Sequence, residues 1–255
     1  MKKLFSFLIF SLVAHQVFAQ PLKYTVANAH SHNDYEQAHP FWSAWKAGFG
    51  SIEADIFLIK GKLLVAHSKE ELRLNRSLDS LYLQPLLFVT RKNNGSPYAD
   101  KKKELQLLID IKMDSVNTLN KLIDLLKQYP EIIHNPLIKV IITGNRPAQE
   151  SFVTYPSFIW FDGEAYKFYS KKALTKIVML SDDFKRYSNW NGLNRLSIKD
   201  SIILKNTIDN AHTLKKNIRF WNAPDNENSW KTFRQLGVDY INTDRISGLA
   251  DFLRH

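Results

Sequence analysis

His30 and His67, together with Glu53, Asp55, Asp110 and Lys112, are the residues of this chain best placed to do chemistry. They fall in four short pieces: Ala29-His30-Ser31-His32-Asn33, Ile52-Glu53-Ala54-Asp55, Leu64-Val65-Ala66-His67 and Leu107-Leu108-Ile109-Asp110-Ile111-Lys112. Each piece ends a short apolar run. Imidazoles take up and release protons near neutral pH. Three carboxylates in one small pocket repel one another unless a cation neutralises them, and with oxygen ligands that cation would be Mg²⁺ or Ca²⁺. Cleavage of a phosphodiester needs one group to take a proton from the attacking hydroxyl and another to give one to the leaving oxygen. His30 and His67 would be that catalytic pair, and their roles are interchangeable on this reading. The metal and Lys112 would stabilise charge growing on the phosphoryl oxygens. His32 and His39 are weaker candidates, and His32 can also orient its neighbours or fill a metal shell. A lone histidine is more often structural, and a single carboxylate can simply pair with a lysine, so the conjunction carries the reading.

These residues need a scaffold that brings them together. The chain alternates apolar strands with amphipathic helices. Strands are expected at Tyr24–Ala29, Ser51–Leu58, Leu105–Ile111, Ile138–Thr143, Ser157–Phe161, Lys176–Leu180, Asn217–Trp221 and Tyr240–Thr243. Near-continuous apolar runs suit a parallel sheet buried on both faces. Between them, Ser115 is expected to cap a helix through Val116, Leu119, Leu122, Ile123 and Leu126, and Asp200 to cap Ile202 to Leu214. Trp230, Phe233 and Leu236 share one helix face that Gly237 ends. Eight strands alternating with helices predict a closed TIM (β/α)₈ barrel in one domain. Gly61-Lys62 marks a hairpin at the barrel mouth, and residues 69–104 form a long insertion. Such barrels carry their chemistry at the C-terminal ends of the strands. His30, the Glu53/Asp55 pair, the Asp110/Lys112 pair, Asn145, Asp162, Glu164, Asp182, Trp221 and Asp244 all fall at those ends. Trp221 suits an exposed pocket wall, because Asn222, Asp225, Asn226 and Asn228 follow it closely.

The opening segment stands apart from the barrel. Lys2 and Lys3, the apolar stretch Leu4 to Val13, and Val17-Phe18-Ala19 before Gln20 read as a secretory signal peptide over residues 1–19. Export to the periplasm or beyond the cell is the expectation. Taking nineteen residues from 255 leaves 236, and the loss of Lys2 and Lys3 lowers the net charge from +10 to +8. The absence of cysteine excludes disulfides and thiolate metal ligands. Arg91, Lys92, Lys101, Lys102 and Lys103 flank an Asn-Asn-Gly-Ser-Pro loop. A charge run of this kind is usually a solvated surface, and otherwise attracts an anionic substrate or the surface of an anionic membrane. No nucleic-acid motif accompanies it.

At the four pieces the chain resembles the phospholipase-C-like phosphodiesterase superfamily, which includes bacterial glycerophosphodiester phosphodiesterases and the spider sphingomyelinase D enzymes. Members carry a His after strand one, Glu-x-Asp on strand two, a second His further on, and Glu or Asp before x-Lys on strand three. Here these are His30, Glu53-Ala54-Asp55, His67 and Asp110-Ile111-Lys112. Arg219-Phe220-Trp221 and Gly237 to Asp244 resemble the family's closing strands. His-Ser-His-Asn-Asp-Tyr is similar to the subgroup that includes the fungal altered inheritance of mitochondria protein 6. The resemblance spans 24–112 and 217–253. It implies a TIM barrel, a divalent cation on Glu53, Asp55 and Asp110, catalysis by His30 and His67, and a small-molecule or lipid phosphodiester substrate. The Arg-Gly and Glu-Asn-Thr of the usual glycerophosphodiesterase pattern are missing, so glycerol specificity does not carry over. Asn33 matches an Asn of the spider pattern and joins Trp221 and Asp244 as a candidate substrate contact.

Two other readings fit parts of the pattern. A glycoside hydrolase would use Asp162 and Glu164 as acid and nucleophile, but it leaves the two histidines and Lys112 without a task. A non-catalytic binding barrel would keep the pocket without needing both proton carriers.

Overall fold

The computed structural model describes residues 23–255; the expected leader, residues 1–19, lies outside the described residues. Its strands are β1 (Ala29–Ser31), β2 (Ser51–Ile59), β3 (Lys62–Val65), β4 (Leu105–Ile111), β5 (Ile138–Gly144), β6 (Ile159–Glu164), β7 (Ile177–Asp183), β8 (Asn217–Trp221) and β9 (Ile241–Thr243). They join in the order β8-β7-β6-β5-β4-β2-β1-β9, with parallel neighbours throughout. A parallel bridge from Arg219 to Tyr240 returns β8 toward β9, so the eight parallel strands nearly close into the expected barrel. Helices α1 (Trp42–Ala47), α2 (Gln84–Lys92), α3 (Ser115–Leu126), α4 (Pro130–Ile133), α5 (Lys171–Leu174), α6 (Ile198–Thr213), α7 (Glu227–Leu236) and α8 (Ile246–Arg254) complete the fold. No helix of the described residues is long and apolar enough to cross a membrane.

Side-chain alternation divides the strands between two cores. Ile52, Ala54 and Ile56 of β2 and Leu105, Leu107, Ile109 and Ile111 of β4 join the large core beneath the helices. Leu108, Ile141 and Met179 form a separate apolar plug, with Trp160 and Tyr240 packed against it. Polar residues of the same strands, Glu53, Asp55, Asp162, Ser181 and Arg219 among them, are buried toward the strands' C-terminal ends. A buried polar layer is tolerated only when its members bond one another, and it therefore marks where the fold spends stability on chemistry.

Several boundaries differ from expectation for local reasons. Tyr24–Asn28 is mostly not strand: Thr25 and Asn28 form a reciprocal capping box that turns Val26–Asn28 into a 3-10 turn. His30 consequently sits within β1 rather than after it. α3 begins at Ser115, but its cap position is Asp114, whose carboxylate bonds the Asn117 side chain and no backbone N–H. α6 is capped by Ser197, which accepts from the Asp200 N–H. β6 and β7 run on through Glu164 and Asp183. The β2–β3 hairpin turns at Lys60-Gly61, both with positive φ, and it pairs Ile59 with Lys62. The 69–104 insertion carries a π-turn (Asp79–Leu83) and α2, which bury Tyr82, Leu83, Leu86 and Val89 in the large core.

The basic 91–103 segment precedes β4. It thus belongs to the N-terminal end of the barrel strands, opposite the cavity. Arg91 there pairs with Glu131 at 2.9 Å, and Lys103 lies over the Tyr98 ring. It is a surface segment that begins in the last turn of α2, and it does not stand at the cavity mouth.

Candidate active site

Strand parity puts Glu53 and Asp55 on the same side of β2, and the parallel register sets Asp55 beside Asp110 of β4. One carboxylate oxygen from each of Glu53, Asp55 and Asp110 lies within 4.8 Å of the others. Lys112 Nζ bridges Asp55 Oδ2 (2.6 Å) and Asp110 Oδ2 (3.1 Å). Tyr35 Oη donates to Asp55 Oδ2 at 2.7 Å. Asp55 Oδ1 is buried and has no hydrogen-bond partner among the described residues. Burial and the charges of Glu53 and Asp110 push the Asp55 carboxyl up to about 7 despite Lys112. Burial and Glu53 raise Asp110 as well. Burial alone would also raise Glu53, but the Arg219 guanidinium and His30 hold it well below the usual carboxylate range. Lys112 is half-buried yet stays protonated above its ordinary range because Asp110 and Asp55 face it. Gly144 makes room for this cluster: its φ is +69°, and a Cβ there would meet Asp110 Oδ1 at 1.9 Å.

The three carboxylates fit a divalent cation. They supply hard oxygen donors, they repel one another, and one buried oxygen is left unbonded. Glu53, Asp55 and Asp110 would hold it.

The histidines sort by depth. His30 is fully buried, with Nδ1 2.6 Å from Ser51 Oγ and Nε2 shared between Glu53 Oε2 (2.8 Å) and Arg219 Nη1 (2.6 Å). Burial and Arg219 push its pKa down to about 4, so it is neutral at physiological pH. It does not line the cavity; His32 does. His32 Nδ1 bonds Asp244 Oδ1 at 2.8 Å, and its Nε2 has no partner among the described residues. Burial alone would lower His32, but the Asp244 bond and Glu53 raise it above its ordinary value. His67 follows β3, which folds back on β2, so its imidazole returns to the carboxylates: Nδ1 is 3.0 Å from Tyr35 Oη and 3.7 Å from Asp55 Oδ2. Asn33, at φ +46°, places its side-chain amide 2.7 Å from Tyr35 Oη and lines the cavity. Asp244 is absent from the cavity wall and instead orients His32.

The cavity encloses ≈ 410 Å³. Its opposite wall comes from β5 to β8 and is rich in arginines that the sequence reading left unassigned. Arg219 donates to Glu53 (2.8 Å), Asn242 (3.1 Å) and Ser181 (3.1 Å). Arg146 pairs with Glu164 at 3.3 Å and donates to the Asp162 carbonyl. Arg186 pairs with Asp182 at 3.2 Å and stacks over the Tyr166 ring. Asp162 accepts from Thr143 at 2.9 Å, while its Oδ1 is buried and unbonded among the described residues. Trp221, 41% exposed, closes this side. Asn145 lies outside the lining, and its neighbour Arg146 lies within it. The one signal for Arg219 was its parity in β8: it alternates with the buried apolar Ile218 and Phe220 and so faces inward.

Comparison with known proteins gives three kinds of match. The family model described as AIM6-like phosphodiesterase domain matches residues 22–150. That of the glycerophosphoryl diester phosphodiesterase family matches residues 217–245. The chain is 27% identical to altered inheritance of mitochondria protein 6 of Kluyveromyces lactis, over 89% of this chain and 72% of that one. It is 28% identical to a homologue from Arthroderma benhamiae, over 88% and 82%. A crystal structure of a glycerophosphodiester phosphodiesterase from Parabacteroides distasonis superposes with a TM-score of 0.55, covering 91% of this chain and 96% of that one at 14% identity. At that identity the likeness is one of fold.

Proposed function

The chain belongs to the AIM6-like phosphodiesterase domain family, and on that premise we propose that it is a metal-dependent phosphodiesterase in which His32 and His67 carry the protons. The observation that carries this reading is the meeting of three clustered carboxylates, two of them pushed upward and sharing one lysine, with two cavity-side imidazoles on one barrel rim. A divalent cation held by Glu53, Asp55 and Asp110 would supply Lewis-acid stabilisation of phosphoryl charge. Lys112 and Arg219 stand beside those carboxylates and offer fixed positive charge to the phosphoryl oxygens. His32 presents Nε2 while Asp244 holds Nδ1, the arrangement that fixes a proton-carrying imidazole. His67 is held by Tyr35 on the other side of Asp55. The task first given to His30 passes to His32, because His30 is sealed beneath it and serves to position Glu53 and Arg219. A neighbouring hydroxyl on the substrate would give a cyclic phosphate; otherwise water attacks. The signal-like segment 1–19 supports export, with the periplasm or the exterior as the site of action.

The test is hydrolysis of bis-p-nitrophenyl phosphate, glycerophosphocholine, glycerophosphoinositol, lysophosphatidylcholine and sphingomyelin with Mg²⁺, Ca²⁺ or chelator. Chelator should abolish turnover, and His32→Ala should lower kcat by about 10²–10⁴-fold. p-Nitrophenolate leaves without a proton, so whichever of His32→Ala and His67→Ala retains activity on that diester alone has lost the general acid. Turnover that survives chelator and both substitutions would overturn the reading.

A further inference from the structure

We propose that the arc of the cavity rim formed by the β6–α5 and β7–α6 loops docks on an anionic lipid bilayer. The barrel's parallel order makes these loops neighbours on the same end as the cavity, and each contributes to its lining through Tyr166 and Arg186. The segment 165–172 holds Lys167, Lys171 and Lys172, all exposed, and no Asp or Glu, though Lys167 is paired with the preceding Glu164. The segment 184–199 holds Lys185, Arg195 and Lys199, all exposed and with no acidic residue among them, beside Arg186, which pairs with Asp182. Large apolar side chains stand among these cations. Phe168 is 91% exposed, Leu193 76% and Ile198 78%.

Each half of this pattern excludes a simpler explanation. Large apolar side chains held this far into water cost free energy, and several along one arc mark an interaction surface. A protein interface of the ordinary kind is depleted of lysine at its centre, whereas this arc interleaves lysine with the apolar tips. A nucleic acid would match the charge but has no use for a protruding Phe168 and Leu193. Cations that reach lipid headgroups, with apolar tips that enter the boundary beneath them, match both halves. The 91–103 basic segment, at the other end of the barrel, cannot take part in the same contact. Docking stands on this surface alone and does not depend on the proposed chemistry. Joined with it, docking would set the cavity mouth against a lipid-borne diester.

The test is co-sedimentation of the chain from Gln20 onward, which holds every described residue, with phosphatidylcholine vesicles and with vesicles containing phosphatidylglycerol. Chelator keeps turnover out of the readout. Binding should be about tenfold tighter or more with the anionic lipid and should fall steeply in about 0.5 M salt. Lys171→Glu/Lys172→Glu should weaken it by about tenfold or more. Phe168→Ser/Leu193→Ser should weaken it comparably while leaving the circular dichroism spectrum and the hydrolysis of soluble bis-p-nitrophenyl phosphate unchanged. Equal binding to both vesicle types would overturn the proposal. So would anionic binding that ignores both double substitutions, or a dimer in sedimentation that Phe168→Ser/Leu193→Ser dissociates. If the soluble diester is not hydrolysed at all, the phosphodiesterase reading falls while vesicle binding still decides this one.

Discussion

The two sides of the cavity handle negative charge in opposite ways. On the β2–β4 side, Asp55 and Asp110 share one lysine, both carboxyls are pushed upward, and Asp55 Oδ1 is unbonded. On the β6–β7 side, Glu164 has Arg146 and Lys167, and Asp182 has Arg186 and the Tyr187 hydroxyl. Both sides are rim carboxylates on parallel strands, so the fold does not impose the difference. The first side lacks positive charge in a way that a divalent cation would correct. At Glu164 and Asp182 the second is already neutralised and can offer donors and acceptors to the remainder of a substrate; Asp162, deeper on β6, is the exception, with Arg219 3.9 Å away and one oxygen unbonded. A carboxylate count alone would not have separated them; the counter-charges do.

The sharpest way to break this contrast is to substitute one carboxylate on each side. Asp55→Asn should lower metal-dependent turnover by about a thousandfold, the several kcal/mol a metal contributes to phosphoryl charge. In chelator the same variant should be no less stable than the parent, because it removes a repelling charge. Asp182→Asn should do the reverse. It strips Arg186 and Tyr187 of a charged acceptor and should cost about 1–2 kcal/mol of stability, with turnover changed far less. Urea unfolding and steady-state kinetics on the same preparations check both. If Asp55→Asn destabilises as Asp182→Asn does, the two sides are alike and the metal reading loses its support.

Asp34 sharpens the contrast as a buried carboxylate with no cation paired to it. It accepts from Ser31 Oγ, Phe41 N and Tyr82 Oη, and burial nonetheless pushes its pKa from 3.8 up to about 6. The folded state therefore binds its proton more tightly than the unfolded chain does. Its contribution is most favourable below about pH 4 and is lost as pH rises from about 4 to 6. The gap between 3.8 and about 6 corresponds to about 3 kcal/mol. Stability measured by urea at pH 4 and pH 7 should show this loss in the parent chain, and Asp34→Asn should lack it. A parent-minus-variant difference that is flat with pH would mean that hydrogen bonds alone compensate a buried carboxylate here. Asp55 would then need no cation either.

Much of this was legible in the residues, and what was not has a common cause. Apolar runs located seven of the eight barrel strands, because both faces of a parallel strand are buried. Period-2 spacing put Glu53 with Asp55 on one side. The same spacing puts His30 and His32 on one side as well, but it says nothing of depth. His30 lies opposite Ser51 in the register, inside the barrel wall, whereas His32 has left the strand and reaches the cavity. Register between strands decides such questions, and it depends on contacts far apart in sequence. The same holds for Asp244, which meets His32 across the β1–β9 seam, and for Arg146, Arg186 and Arg219. The expected first strand lies too early, sharing only Ala29 with β1, because Tyr24 and Val26 suit a strand while Thr25 and Asn28 cap each other into a turn.

Trp221 gives the finest test, because it belongs to the neutralised side yet carries no charge. It ends β8 beside Asp183 and exposes part of its ring to the cavity. If that side only holds the remainder of the substrate, the ring contributes to ground state and transition state alike. Trp221→Ala should then raise KM by about tenfold, the scale of one aromatic contact. kcat on the preferred diester should stay within about twofold, and bis-p-nitrophenyl phosphate should show a different KM penalty because its leaving groups differ in shape. A fall in kcat at unchanged KM would put the ring in contact with the reacting phosphoryl group. The boundary between the side that does chemistry and the side that binds would then run through β8, where Arg219 already reaches across to Glu53.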